Sequence, residues 1–267
     1  MLRLLKIEWK KLYPYRTFWV YMIVFLLITL LVLAGIEGFL NTVTSSAQKE
    51  SDVTIPAFSV YTFPHIWHNL VFLSSFLKII PALLLIILVT NEYNFLTIRQ
   101  NIISGINRHE FIAGKILIAL FLSLAICVFI LIAGLVLGFL STADVTIGKV
   151  TGKMIFLFAF AWELFVYFLF AVLIAILIKR SGFAIGFLLL YSFAIEPYLE
   201  YKLPGNWDRI LPLNSVSNLI DVPNTSLMEL FGINFRSYIP MEDFLVSLLY
   251  AVMFVAATLY FFRKSDL

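Results

Sequence analysis

Long apolar runs separated by shorter polar segments dominate the pattern of the chain. Six runs stand out, and most of them reach the roughly 20 residues that an α-helix needs to cross about 30 Å of hydrocarbon. The pattern predicts an all-α membrane protein with six transmembrane helices in a single transmembrane domain, residues 1–267. The predicted spans are Phe18–Leu40, Ile66–Thr90, Phe111–Leu140, Met154–Ile178, Phe183–Leu199 and Phe244–Phe262.

The fifth run is short, and Glu196 and Pro197 interrupt it near its outer end. Because proline cannot continue the helical hydrogen-bond ladder, we expect that end to bend or to become re-entrant. The connection that follows, residues 200–241, is the longest outer loop. Within it, Leu211–Ile220 has the pattern of a short amphipathic piece, which we expect at the outer surface.

Residues 1–16 have the pattern of an amphipathic helix that Pro14 ends. Its apolar face and its basic face are formed, respectively, by Leu2, Leu5, Trp9 and Leu12, and by Arg3, Lys6 and Lys10. Such a helix is suited to lie in the membrane plane among the lipid headgroups. The alternative is a basic flank that only sets the orientation of the first span.

Composition excludes a soluble globular protein. The 267 residues are 62% hydrophobic and 13% charged, so a bilayer must cover the apolar excess. The one cysteine, Cys127, lies in an apolar run, which excludes an intramolecular disulfide and argues against a thiolate metal site.

The distribution of basic residues predicts the orientation. If the N-terminus is cytoplasmic, the inner segments hold about twice as many Lys and Arg residues as the outer segments. An even number of spans places both termini on that side. We therefore expect a multi-pass protein of the cell inner membrane with cytoplasmic N- and C-termini.

Glycines and tryptophans add two expectations. Gly134 and Gly138, like Gly182 and Gly186, are spaced for close helix approach, and packing within one subunit is favoured over a dimer seam. The tryptophans are expected mostly at the interface or facing lipid; they include Trp19, Trp67, Trp162 and Trp207.

The polar insert between the second and third runs, residues 91–110, is the most distinctive segment. Apolar side chains and one arginine recur in it at helical spacing after Glu92: Phe95, Leu96, Arg99, Ile102 and Ile103. They predict a short helix with one apolar face, ended near Gly105. Asn107 and Glu110 have the spacing of a capping box that opens the next helix. From the residues alone, either lipid or another protein could cover the apolar face.

This insert resembles the first cytoplasmic loop of ABC transporter permeases of the type-2 export class. The family pattern has a carboxylate, then a Gly-Thr-x-Arg element, then Arg and Lys. The matching residues here are Glu92, Thr97, Arg99, Arg108 and Lys115. The chain departs by having Leu96 in place of the usual glycine and Ile106-Asn107 where Pro-x-Ser is frequent. The N-terminal helix and the six spans are similar too, so the resemblance covers the whole chain.

The resemblance implies a cytoplasmic coupling helix between spans 2 and 3, which would dock on a separate ABC-type ATP-binding subunit. It also implies a second permease subunit, in a homo- or heterodimer, and a partner that binds ATP and Mg²⁺. The residues that would serve coupling are Glu92, Phe95, Leu96, Arg99, Ile102, Ile103, Arg108 and Glu110. The alternative is that the charges only anchor the loop at lipid headgroups.

The sequence carries no catalytic signature of its own. It contains no GxxxxGK[ST] phosphate-binding loop. His65 and His68 lie three residues apart without a third ligand that would complete a zinc site. We therefore expect no enzyme, no metal or cofactor in this chain, and no nucleic-acid partner.

Two charges lie within predicted spans, Lys78 in the second and Glu163 in the fourth. A charge within the bilayer is costly and should face the bundle interior or a wet cavity, paired with another group. These residues either line the translocation path or its gate, or form a structural ion pair between helices.

Together these features predict the permease subunit of an ABC transporter, which forms the translocation path, is driven by cytoplasmic ATPases, and works in export. The alternatives are an ATPase-independent ion-coupled carrier or channel, and a membrane scaffold that transports nothing.

Overall fold

The computed structural model describes residues 2–50, 60–103, 105, 107–223 and 238–264, and the regular structure in these ranges is entirely helical. The α-helices are α1 (Leu2–Leu12), α2 (Arg16–Glu50), α3 (Ile66–Ser75), α4 (Ile79–Asn94), α5 (Thr97–Ile103), α6 (Arg108–Ser141), α7 (Ile147–Thr151), α8 (Ile155–Ile178), α9 (Ser181–Leu190), α10 (Glu196–Lys202), α11 (Asn214–Ser217) and α12 (Met241–Lys264).

Within the described ranges, six helical stretches are long and apolar enough to cross a membrane, which agrees with the predicted number of spans. Spans 1 to 6 are Arg16–Thr42, Ile66–Asn94, Arg108–Ser141, Ile147–Ile178, Ser181–Lys202 and Met241–Lys264. Each contains the apolar run that predicted it, extended by polar residues at one or both ends. Helix α1 precedes span 1 and packs beside α6.

Helix α8 is the central helix of the bundle. Two thirds of the most apolar window of span 4, 67%, is buried within the chain, against 17% for spans 1 and 5. The sequence explains this position because α8 is apolar all round except at Glu163, as is typical of a helix surrounded by other helices. Spans 2, 3 and 6 pack around it.

The α-helix of span 2 is interrupted at mid-length by a short 3₁₀ segment. A 3₁₀ segment, Phe76–Lys78, connects α3 to α4. Pro81 has no N–H to donate to the carbonyl of Leu77, which explains why the regular α-helical ladder is interrupted there. Lys78 is therefore the N-cap residue, immediately before the first residue of α4.

Span 5 continues through its predicted interruption. A π-helical turn, Tyr191–Ile195, precedes Glu196 and Pro197, and the helix then runs on to Lys202. A π-turn takes up the hydrogen bonds that proline disturbs. The interruption is thus a local distortion of the helix, and the chain turns back into the bundle only after span 5.

The segment Leu211–Ile220 does not lie at the outer surface, and that expectation is wrong. Its apolar side chains are buried, with Val216 and Leu219 at most 2% exposed. The expected amphipathic pattern is present, but its apolar side packs inside the bundle against α8 and α12. We call this segment the plug.

The bundle has two distinct ends. The terminal end carries α1, the insert between spans 2 and 3, and the end of α12, since Arg108 bonds the carbonyl of Arg263. The loop end carries the plug and the connection between spans 3 and 4. There His68 lies 2.8 Å from the carbonyl oxygen of Asp221.

The glycine and tryptophan expectations are confirmed in part. A Cβ on Gly134 would lie 2.6 Å from the ring of Trp67, which shows close packing within the chain. By contrast, no described atom lies within 4 Å of a Cβ placed on Gly182 or Gly186.

The expectation that the tryptophans lie mostly at the interface or face lipid does not include the hydrogen bonds that two of them donate within the bundle. Trp67 is fully buried and donates to the carbonyl of Val150 at 2.6 Å. Trp162 donates to Ser247 at 2.9 Å. Trp19 and Trp207 are exposed, as expected.

Candidate functional site

The insert between spans 2 and 3 forms a turn, a short helix and a second turn. Span 2 ends at Asn94, α5 covers Thr97–Ile103, and α6 begins at Arg108. The helix starts later than the apolar spacing predicted, because Leu96 has a φ of 54° and separates α4 from α5. Gly105, with a φ of 92°, forms part of the second turn.

Leu96 adopts a backbone conformation that favours glycine. A left-handed residue other than glycine costs roughly 1–2 kcal/mol because its Cβ approaches the neighbouring carbonyl. The resembling export permeases usually have glycine at this position. Leu96 therefore adopts a left-handed conformation that glycine would adopt more easily, and it does so at a conformational cost.

Among the described side chains of the insert, Ile98 of α5 is buried and several apolar neighbours are exposed. Ile98 is buried, whereas Phe95, Leu96 and Ile103 are 71%, 54% and 86% exposed. The side chains of Arg99 and Ile102 lie outside the described part of the chain, although both residues belong to α5. The insert thus holds a cluster of uncovered apolar groups at the terminal end.

Arg108 and Glu110 make contacts within the chain. Glu110 Oε2 accepts a hydrogen bond from the backbone N–H of Asn107 at 3.0 Å, as the capping-box spacing predicted. Arg108 Nη1 donates a hydrogen bond to the carbonyl of Arg263 at 2.5 Å. A positive charge is favourable there because the carbonyl lies at the C-terminal end of α12. Phe111 stacks on Phe262 with ring centroids 5.0 Å apart. The end of the insert is therefore attached to span 6.

Glu92 belongs to a network of charges inside the terminal end. Lys115 Nζ lies 2.5 Å from Glu92 Oε1 and 2.7 Å from Glu8 Oε2. Lys11 bridges the same two carboxylates at 3.3 and 3.2 Å. We call these four residues the base network. It joins α1, the end of α4 and the beginning of α6.

Burial makes the base network sensitive to the loss of Lys115. Lys115 is 4% exposed, so its ammonium requires both carboxylates to offset the loss of water. Burial raises the pKa of Glu8, but Lys115 and Lys11 outweigh it by charge and hydrogen bonds and hold that pKa below its ordinary value of 4.5. The stability contributed by Glu8 is present above that ordinary value and is lost as the pH falls through the lower, folded-state value.

The sequence prediction did not include Glu8. Its signal was nevertheless present, because on the helical wheel Glu8 falls between Leu4 and Leu12, within the apolar arc of α1. An acidic residue in such an arc needs a partner of opposite charge. Lys115, seven residues into span 3, is that partner.

The two predicted intramembrane charges form a direct ion pair. Lys78 Nζ lies 2.5 Å from Glu163 Oε1, and Glu163 is 1% exposed. Lys78 also donates to Ser217 Oγ of the plug at 3.1 Å and lies 5.3 Å from the ring centre of Tyr167. The pair therefore joins spans 2 and 4 to the plug.

Glu196 holds the other end of the plug. Its Oε1 accepts hydrogen bonds from the backbone N–H groups of Leu213 and Asn214, each at 2.6 Å. These groups lie at the start of α11, where a carboxylate is favoured by the free N–H groups of the helix. Residues of spans 2, 4 and 5 and of the plug line a cavity of ≈ 230 Å³ beside Lys78.

Comparison with known families gives one match. The family model described as ABC-2 family transporter protein matches residues 4–195, more than half of the chain. The matched region contains most of α1, the insert, the base network and the Lys78–Glu163 pair. A comparison with curated protein sequences found no significant match.

We predict that Leu96→Gly stabilises the insert by about 1 kcal/mol, because glycine removes the steric cost of the left-handed conformation. Slower hydrogen exchange of the α5 amides would measure the gain. Phe95→Gly is the control, since Phe95 has an ordinary φ of −91° and the change should give no gain. Equal protection in Leu96→Gly and the parent protein would contradict the assignment of strain.

We also predict that Lys115→Met destabilises the protein by about 3–5 kcal/mol, because Glu8 and Glu92 lose their closest positive charge and keep only the partly exposed Lys11. Thermal unfolding of the detergent-purified protein would measure the loss. Lys11→Met should cost at most about 1 kcal/mol, because a side chain that is 34% exposed remains partly hydrated.

Neutralising both carboxylates tests the cause of that loss. Adding Glu8→Gln and Glu92→Gln to Lys115→Met should recover much of the stability. If the triple variant is no more stable than Lys115→Met, the effect comes from lost packing and not from uncompensated charge.

Proposed function

The chain belongs to the ABC-2 transporter family, and we propose that it is the transmembrane permease subunit of an exporter driven by separate ATP-binding subunits. The observation that carries the proposal is the exposed apolar cluster of the insert, which stands on a base held by buried charges. An ATPase that moves the membrane helices needs an apolar surface to bind and a loop that is rigidly connected to those helices.

The exposed cluster is suited to a protein partner. Phe95 precedes α5, Ile103 is its last residue, and both side chains are more than two-thirds exposed. Burying such side chains stabilises an interface by about 1.5–3 kcal/mol each. A short helix docked by apolar contacts into a cleft is a common recognition mode. Arg99 lies in the same helix and would orient the contact by charge.

The base of the insert transmits force to several spans. Glu92 connects it to α1 and span 3 through Lys115, and Arg108 connects it to span 6. Displacement of α5 would therefore move these elements together. In this proposal Glu92, Arg108 and Glu110 act from within the chain, while Phe95, Leu96, Arg99, Ile102 and Ile103 meet the ATPase.

The orientation and assembly follow from the same proposal. The twofold excess of basic residues places the terminal end in the cytoplasm, where the ATP-binding subunits would bind ATP and Mg²⁺. A second permease subunit completes the translocation path in the inner membrane. Lipid covers the remaining apolar faces.

We propose that the Lys78–Glu163 pair braces a gate formed by the plug. The plug lies at the loop end and lines the cavity beside Lys78. Its polar attachments include Ser217, which accepts from Lys78, and the backbone N–H of Leu213, which donates to Glu196. Release of Ser217 from Lys78 would free one side of the plug. The ion pair itself would keep both charges compensated while the plug moves.

We predict that Phe95→Asp and Ile103→Asp each weaken binding of a P-loop ATPase by about tenfold or more. Each substitution removes an apolar side chain that the bound ATPase would bury. Mild detergent purification with quantitative mass spectrometry would measure the loss of the ATPase. Both side chains are exposed, so the permease itself should remain folded.

Ile147→Asp is the matched control. Ile147 is 84% exposed but lies at the loop end, where it should not affect the ATPase. If both test variants copurify with as much ATPase as the parent protein, the ATPase does not bind through this surface. That result would favour a loop that rests on lipid headgroups. Purification of the chain without any ATPase would favour the carrier or scaffold.

For the gate, we predict that Ser217→Ala accelerates hydrogen exchange of plug residues 213–220 by roughly tenfold or more, because a hydrogen bond to a charged group contributes about 1.5–3 kcal/mol. Ser75→Ala is the control, since Ser75 lines the same cavity but donates to the carbonyl of Phe72. Equal exchange in the two variants would mean that Ser217 does not hold the plug.

A further inference from the structure

Helix α1 uses its charged residues in two different ways. Glu8 and Lys11 belong to the base network. Arg3, Lys6 and Lys10 are exposed, recur at positions i, i+3 and i+7, and have no ion pair within the described ranges. The outward face of α1 therefore carries three uncompensated positive charges in a row.

An apolar groove runs beside this basic row. It has a volume of ≈ 500 Å³ and is lined by Leu5, Lys6, Trp9 and Phe121. Trp9 meets Phe121 edge to face with ring centroids 5.3 Å apart. Phe121 lies six residues beyond Lys115 along α6, about 9 Å deeper into the span, so the groove leads from α1 down the side of span 3.

We propose that this groove binds one anionic phospholipid, with an acyl chain against Trp9 and Phe121 and the headgroup phosphate on Lys6. The occupant must be apolar along the groove, since the other three lining side chains are Leu5, Trp9 and Phe121. It must be anionic at the mouth, where Lys6 borders the groove and Arg3 and Lys10 extend the positive row. A phospholipid has this distribution of polarity.

The position of the groove favours lipid over a protein segment. Span 3 crosses the membrane, so a groove along its side opens to the acyl chains of the leaflet. Tryptophan at this depth is typical of the membrane interface, and clustered basic residues next to a span attract anionic lipid by about 1 kcal/mol each. The inference rests on the proposed cytoplasmic placement of α1, but it does not depend on the identity of the ATPase.

The headgroup contact is tested by native mass spectrometry of the delipidated protein titrated with phosphatidylglycerol or with phosphatidylcholine of the same acyl chains. We expect tighter binding of phosphatidylglycerol at one site, weakened about fivefold by Lys6→Gln. Lys264→Gln removes an exposed lysine from the same end of the bundle and should leave that site unchanged.

The chain contact is tested by fluorescence in vesicles of phosphatidylglycerol brominated on the acyl chains. The difference between the parent protein and Trp9→Phe isolates the emission of Trp9 from that of the other four tryptophans. We expect strong quenching of this difference signal and its partial recovery in Lys6→Gln.

Three outcomes would overturn the inference. They are equal affinity for the two lipids, an equal loss in Lys6→Gln and Lys264→Gln, and a Trp9 signal that brominated lipid does not quench. The last would show that a polypeptide, or nothing, occupies the groove. A failure to find the ATPase would leave all three measurements unaffected, so the inference and the proposed function are tested separately.

Discussion

The buried ammonium of Lys115 is the constraint on which the terminal end depends. It is 4% exposed and lies within 2.7 Å of carboxylates from two other segments. Because a charge removed from water requires close compensation, Lys115 fixes the positions of Glu8 on α1 and Glu92 on α4. The orientation of α1, the exit of span 2 and the entry of span 3 are thus set by one side chain, and the insert stands on that arrangement.

Helix α4 connects the two charged clusters. Lys78 stands at its beginning and Glu92 in its last turn, about 21 Å apart at 1.5 Å per residue. Between them the helix is apolar and packs against the buried α8. The helix is therefore a stiff element with an ionic attachment at each end, and the 3₁₀ turn before it offers a place at which its direction can change relative to α3.

Length and hydropathy predicted the six spans because those properties are local to each run. The capping box at Asn107 was also predictable, since its two partners lie three residues apart. Contacts between distant segments were not: Glu8 and Lys115 are 107 positions apart. The plug was misplaced for a related reason, because an amphipathic pattern shows that one side is buried but does not identify what buries it. From the sequence, Leu96 was only a departure from the usual glycine. Its positive φ, which the sequence does not show, is what reveals the conformational cost.

The attachment of Arg108 to the last turn of α12 gives the insert a second connection to the loop end. In the first half of α12, the hydroxyl of Tyr250 donates to the carbonyl of Ile210, immediately before the plug. One connection thus runs through α4 to Lys78 and another through α12 to Ile210, and both reach the plug. In the proposed coupling these two connections would act in parallel, so a substitution that breaks either one would leave the other intact.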